Sequence, residues 1–134
     1  MNEIRIGLLG LGTVGSGVVK VLETHGAEMQ ERAGCRLRLY STADADTTRP
    51  REGLDIARLP LVGDAAKVLH DPAVQIVIEL VGGLEPARTF ILKALEAGKH
   101  VVTANKALLA HHGAELFAEA RKRGMLLGFE AAVA

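Results

Sequence analysis

The chain has 134 residues, 49% of them hydrophobic and 24% charged, so the sequence predicts one folded domain and excludes a disordered segment. Lysines and arginines number 16, as do aspartates and glutamates, and this neutral balance argues against a nucleic-acid-binding protein. The single cysteine excludes an internal disulfide, and without an apolar leader or a run of about 20 apolar residues we expect a cytoplasmic protein with no membrane partner.

The first predicted element is an apolar strand over residues 1–9, and a helix is predicted over residues 13–32. Between them the sequence Gly-Leu-Gly-Thr-Val-Gly occupies residues 10–15. A G-x-G-x-x-G pattern that ends a strand and opens a helix is typical of a dinucleotide-binding turn. A glycine-rich turn that holds no ligand is the alternative.

Each glycine of this pattern has its own structural reason. Gly10 would allow the tight turn, Gly12 would let a pyrophosphate approach the backbone, and Gly15 would let the helix lie close to the strand. Phosphate oxygens would then meet the free N–H groups and the positive dipole end of the helix near Thr13.

The middle of the chain is less regular. An alternating strand is predicted over residues 36–40, and residues 41–61 are predicted to be irregular because they are rich in Asp, Thr, Pro and Arg. A short helix is predicted over residues 64–70, with Asp64 as its N-cap. A further apolar strand is predicted over residues 75–81.

The last third alternates between helices and strands. A helix is predicted from Glu85-Pro86 to Gly98, and a strand over residues 100–104. Two helical pieces are predicted over residues 106–110 and 113–123, and a final strand over residues 125–129.

This order predicts an α/β fold of the Rossmann type, a doubly wound parallel sheet with helices on both faces. Ligands of such sheets bind at the carboxyl ends of the strands. Four predicted strand ends carry glycine or polar residues, at 10–15, 40–46, 81–84 and 103–106. We therefore expect these four segments to meet along one rim of the sheet.

The segment Thr103-Ala104-Asn105-Lys106 has the most reactive side chains. Lys106 could hold an anionic substrate or donate a proton, and Thr103 and Asn105 could hydrogen-bond a carboxylate or amide. The alternative is that Thr103 or Asn105 caps the next helix while Lys106 is a solvated residue of its first turn. The residues alone favour neither. The five histidines have no spacing used for zinc.

Four segments together resemble the homoserine dehydrogenase family: residues 10–15, 79–83, 98–106 and 129–133. The resemblance covers essentially the whole chain, but only the N-terminal nucleotide-binding domain of that family. It implies an NAD(P)-binding domain over residues 1–134, with the substrate domain absent. The family uses NAD(P)H to reduce an amino-acid aldehyde, L-aspartate 4-semialdehyde, to L-homoserine in threonine and methionine biosynthesis. The chain alone would then bind cofactor without full turnover, and its parent would be a homo-oligomer.

The resemblance also implies which residues form the site. The cofactor-binding residues would be Gly10, Leu11, Gly12, Thr13, Val14, Gly15, Ser41, Thr42, Val81, Gly82, Gly83, Thr103 and Lys106. Lys106 would also be catalytic, as the lysine near the reacting carbonyl. Glu130 and the carbonyl of Val133 resemble the start of a sodium-binding loop.

The choice between NAD and NADP depends on the segment after the second strand. Many NADP-using members of the family have an arginine where this chain has Ala45, preceded here by Asp44. An acid in this region favours the free ribose hydroxyls of NAD, whereas an arginine favours the 2′-phosphate. Ser41 and Thr42 could serve either cofactor and Arg49 could replace the missing arginine, so the prediction leans towards NAD.

Two other functions fit the same fold. Another amino-acid-pathway oxidoreductase would share the nucleotide site, because fold alone does not determine the substrate. A non-enzymatic nucleotide-sensing module would use the Rossmann domain as a switch.

Overall fold

The computed structural model describes residues 2–129, in which six parallel strands form one sheet. The strands are β1 (Glu3–Leu9), β2 (Arg36–Ala43), β3 (Leu61–Val62), β4 (Ile76–Glu79), β5 (His100–Thr103) and β6 (Leu127–Phe129). Their order across the sheet is β3-β2-β1-β4-β5-β6. The direction of winding reverses between β1 and β4, and ligands of open α/β sheets bind at this point. The predicted Rossmann-type fold is confirmed.

Helices cover both faces of the sheet, as predicted. They are α1 (Thr13–Ala33), α2 (Ala65–Leu69), α3 (Ala87–Glu96) and α4 (Lys106–Lys122), with a short 3-10 helix at Ile56–Arg58. On one face, Val19 of α1 packs with Leu8 and Leu11. On the other face, a larger core joins the sheet to α2, α3 and α4. Right-handed crossovers place the helices in this way.

Two segments differ from the predicted elements. The stretch predicted as irregular contains the end of β2 and the first residue of β3, because Thr42 pairs with Leu61 across the two strands. The two predicted helical pieces in the last third form one continuous helix, α4. Leu108 and Leu116, two turns apart, are both fully buried, so one apolar face runs through the predicted break.

No helix within the described residues is long and apolar enough to cross a membrane.

Candidate functional site

Two cavities open along the rim formed by the carboxyl ends of the strands. The larger, about 620 Å³, lies beside the ends of β1, β2 and β4, and its walls include Gly12, Asp44 and Ala45. The smaller, about 230 Å³, lies beside the ends of β4 and β5, and Val14 and Lys106 line it. The glycine turn contributes to both cavities and therefore lies between them.

Close approach of the backbone requires two glycines of the turn, Gly10 and Gly15. Gly10 has a φ of +99°, and a Cβ there would lie 2.7 Å from the carbonyl oxygen of Leu80. A Cβ on Gly15 would overlap the carbonyl oxygen of Gly10. A Cβ on Gly12 would meet nothing within 4 Å, so the space above this residue is open to a ligand.

The N-terminus of α1 lacks a side chain that satisfies its N–H groups. Gly12 is the N-cap residue, with no side-chain cap hydrogen bond, and no acidic residue lies in the first turn. The first N–H groups of a helix and its dipole attract anions. The turn is therefore suited to bind a phosphate or pyrophosphate group.

An ion pair between buried Arg51 and half-buried Asp44 holds the turn from the side of β2. The carboxylate of Asp44 accepts a hydrogen bond from the N–H of Leu11 at 2.7 Å, and Arg51 Nε donates to the carbonyl oxygen of Leu11 at 3.0 Å. Arg51 Nη2 lies 3.3 Å from Asp44 Oδ1. Both peptide groups of Leu11 are thus fixed by one charged pair.

The loop that carries Arg51 is itself ordered by hydrogen bonds. Arg51 donates to the carbonyl oxygens of Arg49 and Asp46, at 2.7 and 2.6 Å. The carboxylate of Asp46 accepts from the backbone N–H groups of Arg49 and Thr48, and these bonds lower the pKa of the Asp46 carboxyl. Arg51 is therefore buried although it lies in a polar loop.

The larger cavity has an apolar wall and a polar rim. Leu69, Pro86 and Phe90 contribute apolar surface, whereas His70 and Lys93 are polar. A cavity of this composition suits a flat, partly apolar group with polar substituents.

At the smaller cavity, a network of hydrogen bonds joins the ends of β4 and β5. Glu79 and Thr103 are register partners in the two strands, and both are fully buried. Glu79 Oε1 accepts from the hydroxyl of Thr103 at 2.6 Å, and Oε2 accepts from the N–H of Val81 at 2.9 Å and of Gly82 at 3.3 Å.

Lys106 is the exposed first residue of α4, on the wall of the smaller cavity. Asn105 is the N-cap of this helix, and its Oδ1 accepts from the N–H of Leu108 at 3.0 Å. Its Nδ2 donates to the carbonyl oxygen of Gly83 at 2.6 Å. Capping by Asn105 and access of Lys106 to a cavity therefore occur together, although the sequence presented them as alternatives.

The remaining predicted residues divide by exposure. Val81, Gly82 and Gly83 are exposed at the rim. Thr42 is buried inside β2 and, among the described residues, its hydroxyl has no hydrogen-bond partner. The hydroxyl of Thr103 is occupied by Glu79. Side-chain contact of either threonine with a cofactor stays a prediction, and it would require their surroundings to move.

Ser41 is half-buried within β2, two residues before the strand ends. Glu130 and Val133, the predicted sodium ligands, lie outside the described residues. Within residues 2–129, no group of three or more His, Cys, Asp and Glu side chains could hold a metal ion.

Sequence reasoning assigned no role to Arg51 or Glu79. Glu79 had a detectable signal, since it is a lone carboxylate in an otherwise apolar strand, where an unpaired acid is costly. Arg51 had none, because it lies in a loop rich in charged residues and only the fold reveals its burial.

Comparison with known proteins gives a consistent result. Residues 10–130 match the family model described as homoserine dehydrogenase, NAD binding domain. Among curated proteins, the homoserine dehydrogenase of Pseudomonas aeruginosa is 46% identical over 134 residues, which is 100% of this chain and 30% of the relative. The homoserine dehydrogenase of Bacillus subtilis is 44% identical over the same length, 31% of that protein.

Solved structures agree. The homoserine dehydrogenase of Thiobacillus denitrificans superposes with a TM-score of 0.92 at 45% identity, covering 100% of this chain and 31% of that chain. A homoserine dehydrogenase structure from S. aureus gives a TM-score of 0.91 at 40% identity, covering 100% of this chain and 33% of the other.

Proposed function

Because the chain belongs to the homoserine dehydrogenase family and matches its NAD-binding domain, we propose that it holds the nicotinamide cofactor for reduction of L-aspartate 4-semialdehyde to L-homoserine. Cofactor binding is supported by the pair of cavities on either side of the glycine turn, at the point where the sheet reverses its winding. A dinucleotide has two nucleoside halves joined by a pyrophosphate, and this arrangement matches that shape.

The pyrophosphate would lie over Gly12, at the uncapped start of α1. The larger cavity would take the adenosine half, because its apolar wall suits an adenine ring and Asp44 lies on its rim. The smaller cavity would take the nicotinamide half, because exposed Val14, Gly82 and Lys106 line it. Bound there, the cofactor supplies a hydride to the substrate carbonyl.

The chain's own contribution at the reacting centre would come from Lys106. Its ammonium group, at the cavity wall, could bind the substrate carbonyl or give its oxygen a proton as the alcohol forms. Lys106 is therefore the proposed catalytic residue of this chain.

The cofactor is proposed to be NAD and not NADP. Asp44 lies on the larger cavity and one lone pair of its Oδ2 is not used by Leu11, so it can accept a bond from a ribose hydroxyl. Ala45, exposed beside it, offers no cation to a 2′-phosphate. Arg49 is the nearest replacement, since it is exposed and its Nη2 lies 3.5 Å from the carbonyl oxygen of Leu11.

The chain spans about 30% of the length of the curated relatives it matches. The proposed reaction therefore belongs to a whole protein in which further residues bind the substrate, and residues 1–134 form its NAD(P)-binding domain. That protein is proposed to be a cytoplasmic homo-oligomer, and sodium binding by Glu130 and Val133 stays a prediction. An oxidoreductase with another substrate is the second candidate on fold alone, and no feature of the described site favours it.

Calorimetric titration of the chain with NAD, NADH, NADP and NADPH tests the proposal. We expect binding of NAD and NADH, with weaker binding of the two phosphorylated forms. Failure to bind any of the four nucleotides would contradict it. As a control, Gly12→Ala should weaken binding while leaving the thermal unfolding temperature unchanged, because the added Cβ meets no protein atom.

A further inference from the structure

Glu79 is a fully buried carboxylate at the end of β4, and three donors point at it. Two are backbone N–H groups, from Val81 and Gly82, and the third is the hydroxyl of Thr103. No ion pair to Glu79 within 4.0 Å occurs in residues 2–129. Desolvation of an acid is costly, and these hydrogen bonds offset it.

The donors belong to two different segments of the smaller cavity. One is the turn at Val81–Gly83 that follows β4, where Gly82 and Gly83 have φ values of +83° and +72°. The other is the end of β5, where Thr103 Oγ1 also accepts from the N–H of Asn105 at 3.0 Å. The side chain of Glu79 thus joins both segments through these bonds.

The connection continues to Lys106. Asn105 caps α4 and donates to the carbonyl oxygen of Gly83, so it closes a ring of hydrogen bonds that starts and ends at the turn after β4. Lys106 follows Asn105 directly and its backbone is therefore fixed relative to Gly83. A change at Glu79 should move the turn and Lys106 together.

We propose that Glu79 is a positioning residue for the nicotinamide half of the cofactor site, an inference that rests on the proposed function. Glu79 lines the smaller cavity, but both of its carboxylate oxygens accept from protein donors, so the proposed role is indirect. It acts by holding Gly82 directly and Asn105 through Thr103. Gly82 and Asn105 line the smaller cavity, and Asn105 sets the place of Lys106.

The bonding pattern requires acceptors at both oxygens of residue 79. Glutamine has one acceptor oxygen and an NH2 group that only donates. Whichever way the amide is turned, its NH2 group faces either the two backbone N–H groups or the hydroxyl of Thr103. Glu79→Gln therefore preserves size and loses part of the network.

The test compares two ligands that share the adenosine half. Calorimetry with the 134-residue chain would measure NADH, which has the nicotinamide ring, and ADP-ribose, which lacks it. We expect Glu79→Gln to weaken NADH about tenfold, the effect of one misplaced buried hydrogen bond. The affinity for ADP-ribose should stay within about twofold of the unchanged chain.

The two ligands separate positioning from general damage. Equal loss for NADH and ADP-ribose, or no loss for NADH, would overturn the inference. If the unchanged chain binds neither ligand, the proposed function itself fails. If the unchanged chain binds both ligands and Glu79→Gln loses both equally, only the inference about Glu79 fails. Glu96→Gln is the matched control, because Glu96 is exposed on α3 and lines neither cavity.

A second pair of variants covers the case in which Glu79→Gln does not fold. Thr103→Ser keeps the hydroxyl that joins Glu79 to Asn105, whereas Thr103→Val removes it at nearly constant volume. We expect serine to retain NADH affinity and valine to lose it selectively relative to ADP-ribose. Affinities for NADH that are the same in both variants would overturn the inference.

Discussion

The guanidinium group of Arg51 donates to the carbonyl oxygen of Leu11, 40 residues earlier in the chain, and so ties a polar loop to the glycine turn. Arg51 is 7% exposed and is paired with Asp44, which accepts from the N–H of Leu11. The peptide groups that precede the helix N-terminus are thus held by charged side chains before any ligand arrives. Such preorganisation reduces the ordering that binding requires.

Replacing Arg51 should cost both stability and affinity. Arg51→Met leaves the stem and removes three hydrogen bonds and one ion pair, so the free energy of unfolding should fall by about 2 kcal/mol. Urea denaturation measures this loss, and calorimetry should show weaker NADH binding. Arg58→Met, at an exposed arginine, should change stability by less than about 0.5 kcal/mol. Equal stability of the two variants would refute the role given to Arg51.

Cofactor preference should respond to Ala45. Ala45→Arg places a guanidinium on the larger cavity, where the ribose of the adenosine half is proposed to lie. The ratio of NADPH to NADH affinity should rise about tenfold, since arginine forms charge-assisted bonds with phosphate. Titration with both nucleotides measures the ratio. Ala118→Arg, on the exposed part of α4, is the control, and an unchanged ratio in Ala45→Arg would contradict the proposed position of the ribose.

Substitutions of two glycines in the turn should distinguish effects on NADH binding from effects on stability. Gly15→Ala forces a Cβ onto the carbonyl oxygen of Gly10, and overpacking of backbone against backbone should cost about 3 kcal/mol or more. Gly12→Ala has an ordinary φ of −86° and open space, so stability should stay within about 0.5 kcal/mol. NADH affinity should fall in Gly12→Ala. Thermal unfolding and calorimetry on the same samples check both, and a strongly destabilised Gly12→Ala would contradict this assignment.

The first strand, turn and helix could be predicted from sequence because their signals are local. The apolar run of β1, the glycine spacing and the helical periodicity of α1 lie within about 30 consecutive residues, as in a dinucleotide-binding unit. The short strand Leu61–Val62 could not be predicted, since it exists through pairing with Thr42 and Ala43 of another strand. Two residues are too few to show the alternation typical of a strand.

In the site, too, some residues could be assigned from sequence and others depend on the fold. The exposed residues after each strand could be assigned from the rule that ligands bind at strand ends. The hydrogen-bond partner of Thr103 could not be assigned from sequence. The residue beside Thr103 is determined by the register of β4 against β5. Burial of Glu79 and Arg51 likewise follows from contacts made across the fold.

Stability should depend on pH through Lys99. Lys99 is 3% exposed, and its ammonium group donates to the carbonyl oxygens of Asp71 and Val74 at 2.6 and 2.8 Å. Burial lowers the pKa of Lys99, and the carboxylate of Asp71 partly offsets this effect. Above the lowered pKa the unfolded chain binds more protons than the folded chain, so stability rises with pH up to the ordinary lysine value of about 10.4.

The measurement is the difference in free energy of unfolding between the unchanged chain and Lys99→Met, followed from neutral pH to about pH 10. The difference should grow in favour of the unchanged chain as pH rises. Lys67→Met, at an exposed lysine of α2, should give a flat difference. A difference for Lys99→Met that falls with pH would show that burial does not control this group.

Catalysis should depend on Lys106 more than cofactor binding does. A chimera that joins residues 1–134 to the remainder of the Pseudomonas aeruginosa relative would supply the substrate-binding part. In that chimera, Lys106→Met should lower kcat about 100-fold, because the group that binds or protonates the carbonyl oxygen is lost. The Kd for NADH should change much less than kcat, since Lys106 lines only the smaller cavity and the glycine turn and the larger cavity are untouched. Lys122→Met, at the exposed end of α4, should preserve kcat, and a Lys106→Met chimera with unchanged kcat would remove Lys106 from the mechanism.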